Sequence, residues 1–299
     1  MATPADMLAR LMAEQMQKTG TPTEDTETTS APAERPNQSA EIIRLPVWPD
    51  SVRGIPNSML RSALFGAIKR GPRAYLKQEP IAALEGIDIR YTGERLDQGD
   101  LDVWQGIVHI ARAQTQGNTC QVTAYALLKV LGKTNSGDNH KTLNDRLVRL
   151  RANAVEIETA AYSYVGGLVD DVVRNKDTKE YTIRLNPKLG HLFGPDQFTL
   201  IEFEQRAALS RHPLAQWLYG FYSSHAKPYP IKVETLHGLC GSETKLMKHF
   251  RAELKKSLEK ISEVDGWEWQ IDAKDLVHIK KRPSGSQTRH LTRKKKSTS

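Results

Sequence analysis

Apolar residues recur along this chain at helical spacing in blocks separated by turns and short alternating segments, and the order of those blocks occurs twice. In the first half an alternating stretch over 87–91 predicts a strand. Residues 100–113 then predict a helix with Trp104, Ile107, Val108 and Ala111 on one face. A short segment at 120–122 precedes a second helix over 124–131, which Gly132 stops. The turn 133–137 leads into a third helix over 138–153, whose apolar positions are Leu143, Leu147, Leu150 and Ala154. A two-stranded ribbon over 161–173 and 181–185, turning at 175–179, closes the block.

The second half repeats the plan. A strand near 198–203 precedes a helix over 214–224 that carries Trp217, Leu218, Phe221 and Tyr222. A short 230–233 segment and a helix over 234–240, closed by Gly241, come next. The long third helix is expected to start after Ser242 as N-cap with Glu243 in its first turn, and to bury Leu246, Phe250, Leu254, Leu258 and Ile261. A hairpin of 267–271 and 276–279, turning at 272–274, ends the unit. Helix, short strand, helix, turn, helix and ribbon is the order of a winged helix-turn-helix. The expected fold class is therefore α+β, two tandem winged-helix domains at 41–190 and 191–282.

The ends behave differently. Residues 19–40 are rich in Thr, Pro, Glu and Ser and contain little that burial would favour, so 1–40 is expected to be disordered, apart from a marginal amphipathic stretch around Met7–Met16. Residues 283–299 hold five Arg or Lys and no acid, and read as a disordered basic tail. Removing both ends leaves a body that is itself basic, at +6 of the chain's formal +8. That balance favours a polyanionic partner. Cys120 and Cys240 are the only cysteines and form no metal-spaced pair, which fits a reducing cytoplasm and excludes a disulfide framework. No apolar run approaches the roughly 18 residues of a membrane span.

A helix that reads DNA must bury one face and present donors on the other. With Phe250 facing inward, the third helix of the second half projects Lys245, Lys248, Lys255 and Lys256 outward, flanked by Thr244, His249 and Arg251. Thr244, Lys245, Lys248, His249 and Arg251 are the candidate base contacts, and Lys255 and Lys256 are candidates for phosphate or solvent. The corresponding helix of the first half offers Asn139, His140, Lys141, Asn144 and Arg149, beside the acids Asp138 and Asp145. Ribbon candidates are Arg174, Lys176 and Lys179 in one unit and Lys274, Lys280, Lys281 and Arg282 in the other. The alternatives are a solvated cationic surface and, for the first unit, a dimer-forming face. Trp267 and Trp269 alternate on one strand and suit packing or base stacking.

Signatures of catalysis fail on inspection. Gly132, Lys133 and Thr134 resemble the end of a phosphate loop, but the required glycine five residues earlier is Leu127. His109 and Arg112 have the spacing of a strand-transferase pair, yet they fall on a helix with a core face. A strand-transferase or relaxase would need a tyrosine such as Tyr125 or Tyr222. No metal, nucleotide or other cofactor is implied. On these features alone an operator-binding repressor and a replication protein are not separated.

The stretches LPVWPDSVRGIPNSMLRSALF (45–65), YTGERL (91–96), LNDRLVRLRANA (143–154), FYSSHAKPYPIKVETLHGLCGS (221–242) and KDLVHIKKR (274–282) together resemble the TrfA family of plasmid replication initiators. The resemblance implies tandem winged helices that bind direct repeats at a double-stranded origin as monomers. It further implies opening of an AT-rich element to single strands, recruitment of host DnaB helicase, often with DnaA, and a homodimer as the inactive form. The family motif at the second reading helix maps to Gly241 and Ser242, followed by Lys248, His249, Phe250 and Arg251. One departure stands out. Where the family carries a Gln-Leu-x-Leu-Phe type peptide for the sliding clamp, this chain has SAEIIRLPV (39–47), without the Gln or the Leu-Phe pair, so clamp docking through this peptide is not expected.

Overall fold

The computed structural model describes residues 45–69, 71–114 and 118–297; the 1–40 segment, including its short amphipathic stretch, lies outside the described residues. The described chain enters at Leu45 and Trp48, both buried, and the Trp48 indole donates to Nδ1 of His109 at 3.1 Å. Strand β1 (Val52–Pro56) is buried along its length and runs into the single turn α1 (Asn57–Leu60). After β2 (Phe65–Gly66) come β3 (Tyr75–Ile81) and β4 (Ile87–Glu94), an antiparallel pair, and β5 (Leu96–Asp97), which pairs in parallel with β2.

The first winged helix starts at α2 (Gln98–Ala111), where Asp97 and Asp100 form a reciprocal cap: each carboxylate accepts the other's backbone N–H, at 2.8 and 2.9 Å. Almost every α2 side chain is buried, with Trp104 and Ile107 fully so. It is followed by β6 (Thr119–Thr123), α3 (Ala124–Val130) capped by Thr123, and α4 (Gly137–Arg151) capped by Ser136. Gly132 takes φ +64 between the last two helices, which is why the helix stops there. Leu143, Leu147 and Leu150 turn the apolar face of α4 inward as the periodicity predicts.

The ribbon differs from its sequence expectation. Hairpin β7 (Ala154–Thr159) and β8 (Ser163–Gly166) leaves the winged helix and extends β3 and β4 into a four-stranded sheet of order β3-β4-β7-β8. The wing is instead β9 (Asp171–Arg174) and β10 (Glu180–Arg184), in a sheet of order β6-β10-β9. A single 161–173 strand is interrupted because Leu168 and Val169 are both fully buried and two glycines precede them. Ala154 belongs to β7, not to the helix.

Strand β11 (Phe198–Glu202) pairs antiparallel with β1, from Val52 opposite Glu202 to Pro56 opposite Phe198, so the beginning of the described chain is woven into the link between the two units. The second winged helix then follows: α5 (Phe203–Ala208), α6 (Pro213–Ser223), β12 (Ile231–Lys232), α7 (Val233–Leu239), α8 (Met247–Asp265), β13 (Glu268–Ile271) and β14 (Leu276–Lys280). Its sheet order β12-β14-β13 repeats that of β6-β10-β9. Phe250, Leu254, Leu258 and Ile261 of α8 are buried against α6, where Trp217 stacks on Phe221 at 4.8 Å. Trp267 is buried and stacks on Tyr219 at 5.2 Å, so it packs rather than presenting a face for bases.

Three further expectations are corrected here. Helix α8 begins at Met247, not after Ser242, and Leu246 is half exposed instead of buried. The intervening residues form a turn: Gly241 has φ +61, the Ser242 hydroxyl accepts from the Thr244 N–H at 3.2 Å, and His237 Nε2 lies 2.8 Å from the Thr244 carbonyl. The basic end also differs, because Gly285–Ser297 forms a helix, α9. The Ser284 hydroxyl accepts from the Gln287 N–H at 3.3 Å, and the Gln287 amide donates to the Ser223 carbonyl at 2.6 Å, which fixes its first turn to the end of α6.

Candidate nucleic-acid interface

The outward face of α8 carries Lys248, His249, Lys255 and Lys256, all exposed, and Lys245 is exposed in the turn before it. Thr244 is half-buried in that same turn, with its carbonyl against His237. Arg251 is not free on this face. Its Nε and Nη2 donate to the two carboxylate oxygens of Asp275 at 3.1 and 2.5 Å, which fastens the turn of the wing to the helix. In the wing, Lys280 is exposed and pairs with Glu268 at 2.9 Å, and Arg282 is exposed. Lys281 turns inward: its ammonium donates to Gln287 Oε1 at 3.0 Å, and burial pulls its pKa down to about 8. Of the ribbon candidates it is the one the fold withdraws from solvent by tying it to α9.

In the first unit Lys141 and Asn144 are exposed on α4. Asn139 donates to the Thr134 carbonyl at 2.8 Å and His140 lies 2.6 Å from Asn135 Oδ1, so both side chains close the turn between α3 and α4. Arg149 has a different role from the one its position on the helix suggests. It donates to Glu94 at 3.1 Å and to the fully buried Asp100 at 2.7 Å, while Arg146 donates to Asp97 at 2.6 Å and Asp100 at 2.9 Å. Arg73 completes the group through Asp97. Burial alone pushes the Asp97 carboxyl up, but Arg146 and Arg73 outweigh it and hold the carboxyl well below the usual range. This network locks α4 to the N-terminus of α2.

A cleft of about 720 Å³ separates α4 from the α5–α6 connection, and its rim carries Lys69, Lys133 and Arg211, with Thr134 and Ser210 beside them. All three cations are exposed. None of the three lies on a predicted reading helix or ribbon, Lys133 having been weighed only as part of a phosphate-loop stretch, and only tertiary structure brings them to one rim. Of the residues weighed for catalysis, His109 and Arg112 are held in packing contacts. His109 accepts from Trp48, lies 3.3 Å from Asp50, and stands beside Arg112, which bonds Asp50 at 2.6 Å; these contacts hold the 45–50 segment on α2. Tyr222 is buried, whereas Tyr125 is exposed. Among the described residues no three or more metal-ligating side chains cluster, and no helix is long and apolar enough to cross a membrane.

Comparison with known proteins fits this architecture. The TrfA protein family matches residues 36–281. The plasmid replication initiator protein TrfA of Escherichia coli is 30% identical over 247 residues, covering 78% of this chain and 63% of that protein. Replication protein RepA of Salmonella typhi is 28% identical over 200 residues, covering 64% and 57%. This chain thus spans less than two thirds of the length of either relative. Among solved structures, domains 2 and 3 of RctB superpose with a TM-score of 0.50 at 13% identity, over 75% of this chain and 96% of that one, a likeness of fold. With the family matched across both winged helices, the chain belongs to the TrfA protein family.

Proposed function

We propose that this protein initiates plasmid replication by binding direct repeats in duplex DNA at the origin. The observation that carries the reading is a family match running through both winged helices, each with a third helix that exposes cations or amides opposite its core. In this reading α8 enters one major groove through Lys248 and His249, with Lys245 and Thr244 at its leading turn, and α4 enters the next through Lys141 and Asn144. Lys255, Lys280 and Arg282 meet phosphates, and the rim of Lys69, Lys133 and Arg211 follows the backbone between the grooves.

Opening an adjacent AT-rich element costs about 1.4 kcal/mol of stacking per base-pair step, which several bound protomers, DnaA and supercoiling share. Host DnaB helicase is then loaded on the opened strands, and a homodimer is the inactive reserve. The chain supplies binding free energy and no bond chemistry, and acts in the cytoplasm of its host. The test is establishment: a circle carrying the origin but no other means of replication should be maintained when this chain is supplied in trans. Loss of the circle together with operator binding at the chain's own promoter would instead identify a repressor.

A further inference from the structure

One stretch of chain bonds both to α4 and to the turn that leads into α8. Glu94, at the end of β4, accepts from Arg149 of α4 at 3.1 Å. Asp97 and Asp100, three and six residues on, hold Arg146 and Arg149 of the same helix. Arg95, between these acids, points the other way. Its Nη2 donates to the Gly241 carbonyl at 2.8 Å and its Nη1 to Glu243 at 2.7 Å, both in the turn that launches α8. The Ala67 N–H adds a bond to the Cys240 carbonyl at 2.7 Å, so the first unit grips this turn from two sides.

The fit on the second unit is close. Gly241 stands at φ +61, and a Cβ there would lie 2.7 Å from Arg95 Nη2 and 3.0 Å from the Ala63 side chain. A guanidinium is suited to this position because its fixed fork bonds a carbonyl and a carboxylate at once, which an ammonium on a flexible stem does less well. Its side chain is largely buried, at 18% exposure, although its partner Glu243 is open to solvent. The spacing of the contacts along one strand and its following cap makes the segment a short rigid strut: acids at 94, 97 and 100 for α4, and a base at 95 for the turn before α8.

We propose that residues 94–100 couple the two reading helices into one fixed relative pose, with Arg95 as the positioning residue, so that the chain binds two DNA sub-sites at a single spacing. This rests on the duplex-reading function above and adds to it a specificity that no base contact supplies. One inserted base pair moves the second sub-site about 3.4 Å along the axis and rotates it, which a fixed pair of helices cannot follow.

The experiment uses the full chain and its selected duplex site, together with versions in which one or two base pairs are added or removed between the sub-sites. The wild-type chain should lose affinity about tenfold or more on a one-base-pair change, and Arg95→Ala should lose about threefold or less for the same change while melting as the wild type does. Glu243→Gln, which keeps the carbonyl bond, should fall between the two. If Arg95→Ala does not fold, Arg95→Lys and Glu243→Gln carry the comparison, and both should tolerate altered spacing better than the wild type. Wild-type discrimination retained in these variants would overturn the coupler, as would a wild-type chain indifferent to spacing. A wild-type chain that selects no duplex site at all would fail at the earlier step and remove the reading function itself.

Discussion

Asp100 is fully buried and accepts from both Arg146 and Arg149, and Asp97 beside it is nearly as enclosed. Removing Arg146 takes one of two arginines from each of Asp97 and Asp100, leaving Arg73 and Arg149, and weakening a buried pair in this way costs up to about 3–5 kcal/mol. Arg146→Ala should therefore lower the urea midpoint by a corresponding amount, whereas a loss near 0.5 kcal/mol, roughly that of an exposed pair, would show the network to be solvated. The charge pattern of α4 was legible in the sequence, but the destination of Arg149 was not. Helical spacing places that residue toward the rim of the core face, and the acids it meets come from a strand and a cap about 50 residues earlier.

Two histidines make the fold sensitive to acid. Burial first, then Arg53 and Arg112, lowers His109 from 6.5 to about 4. Burial, then Arg61, lowers His225 from 6.5 to about 4. Both are therefore neutral in the folded chain where the unfolded chain has begun to bind protons. Stability is full above about pH 6.5 and declines as pH falls from there toward 4, since the unfolded state binds more protons throughout that window. Melting temperature measured across this range should fall, and His225→Asn should flatten the slope; an unchanged slope would place His225 outside the acid response.

At the scale of elements, α8 shows both how far periodicity carries and where it stops. Phe250, Leu254, Leu258 and Ile261 recur at helical spacing and are all buried, so the helix and its outward face follow from the sequence. Its start does not, because Gly241 in the left-handed region and the bonds of Ser242 and His237 spend four residues in a turn that mimics a capped helix N-terminus. The displaced start leaves Lys248 and His249 in the first turn of α8. Lys248→Ala should weaken binding by about 1–3 kcal/mol and relax sequence preference if it meets a base edge; equal weakening on every duplex would assign it to phosphate.

The ribbon of the first unit was misplaced for a related reason. Residues 161–173 do contain strands, yet β8 and β9 belong to two different sheets, and nothing local distinguishes a wing from a hairpin that extends β4. Helix α9 is the opposite case, a segment whose composition suggests no structure but whose first turn is pinned by Ser284 and Gln287. Deleting residues 285–299 should lower affinity for random duplex and flatten the dependence of binding on salt, with the selected sequence unchanged. A shifted sequence preference would show that α9 reads bases.

At the scale of the whole molecule, the repeat of two winged helices was legible because each carries the same order of helix, strand and ribbon. The surfaces joining them were not. The pairing of β1 with β11, the rim of Lys69, Lys133 and Arg211, and the bonds from Arg95 to the Gly241 turn all depend on contacts between residues far apart in sequence. These contacts tie the two winged helices together, and on the proposed reading, in which α4 and α8 both meet DNA, a single protomer would occupy a long asymmetric site. The most direct test is selection from random duplex DNA by the purified full chain, with stoichiometry measured on the selected site. The account predicts one asymmetric motif that spans two successive major grooves, binds one protomer and is lost when Lys248 and Lys141 are both replaced. A short palindrome occupied by two protomers, or no enriched motif at all, would contradict it.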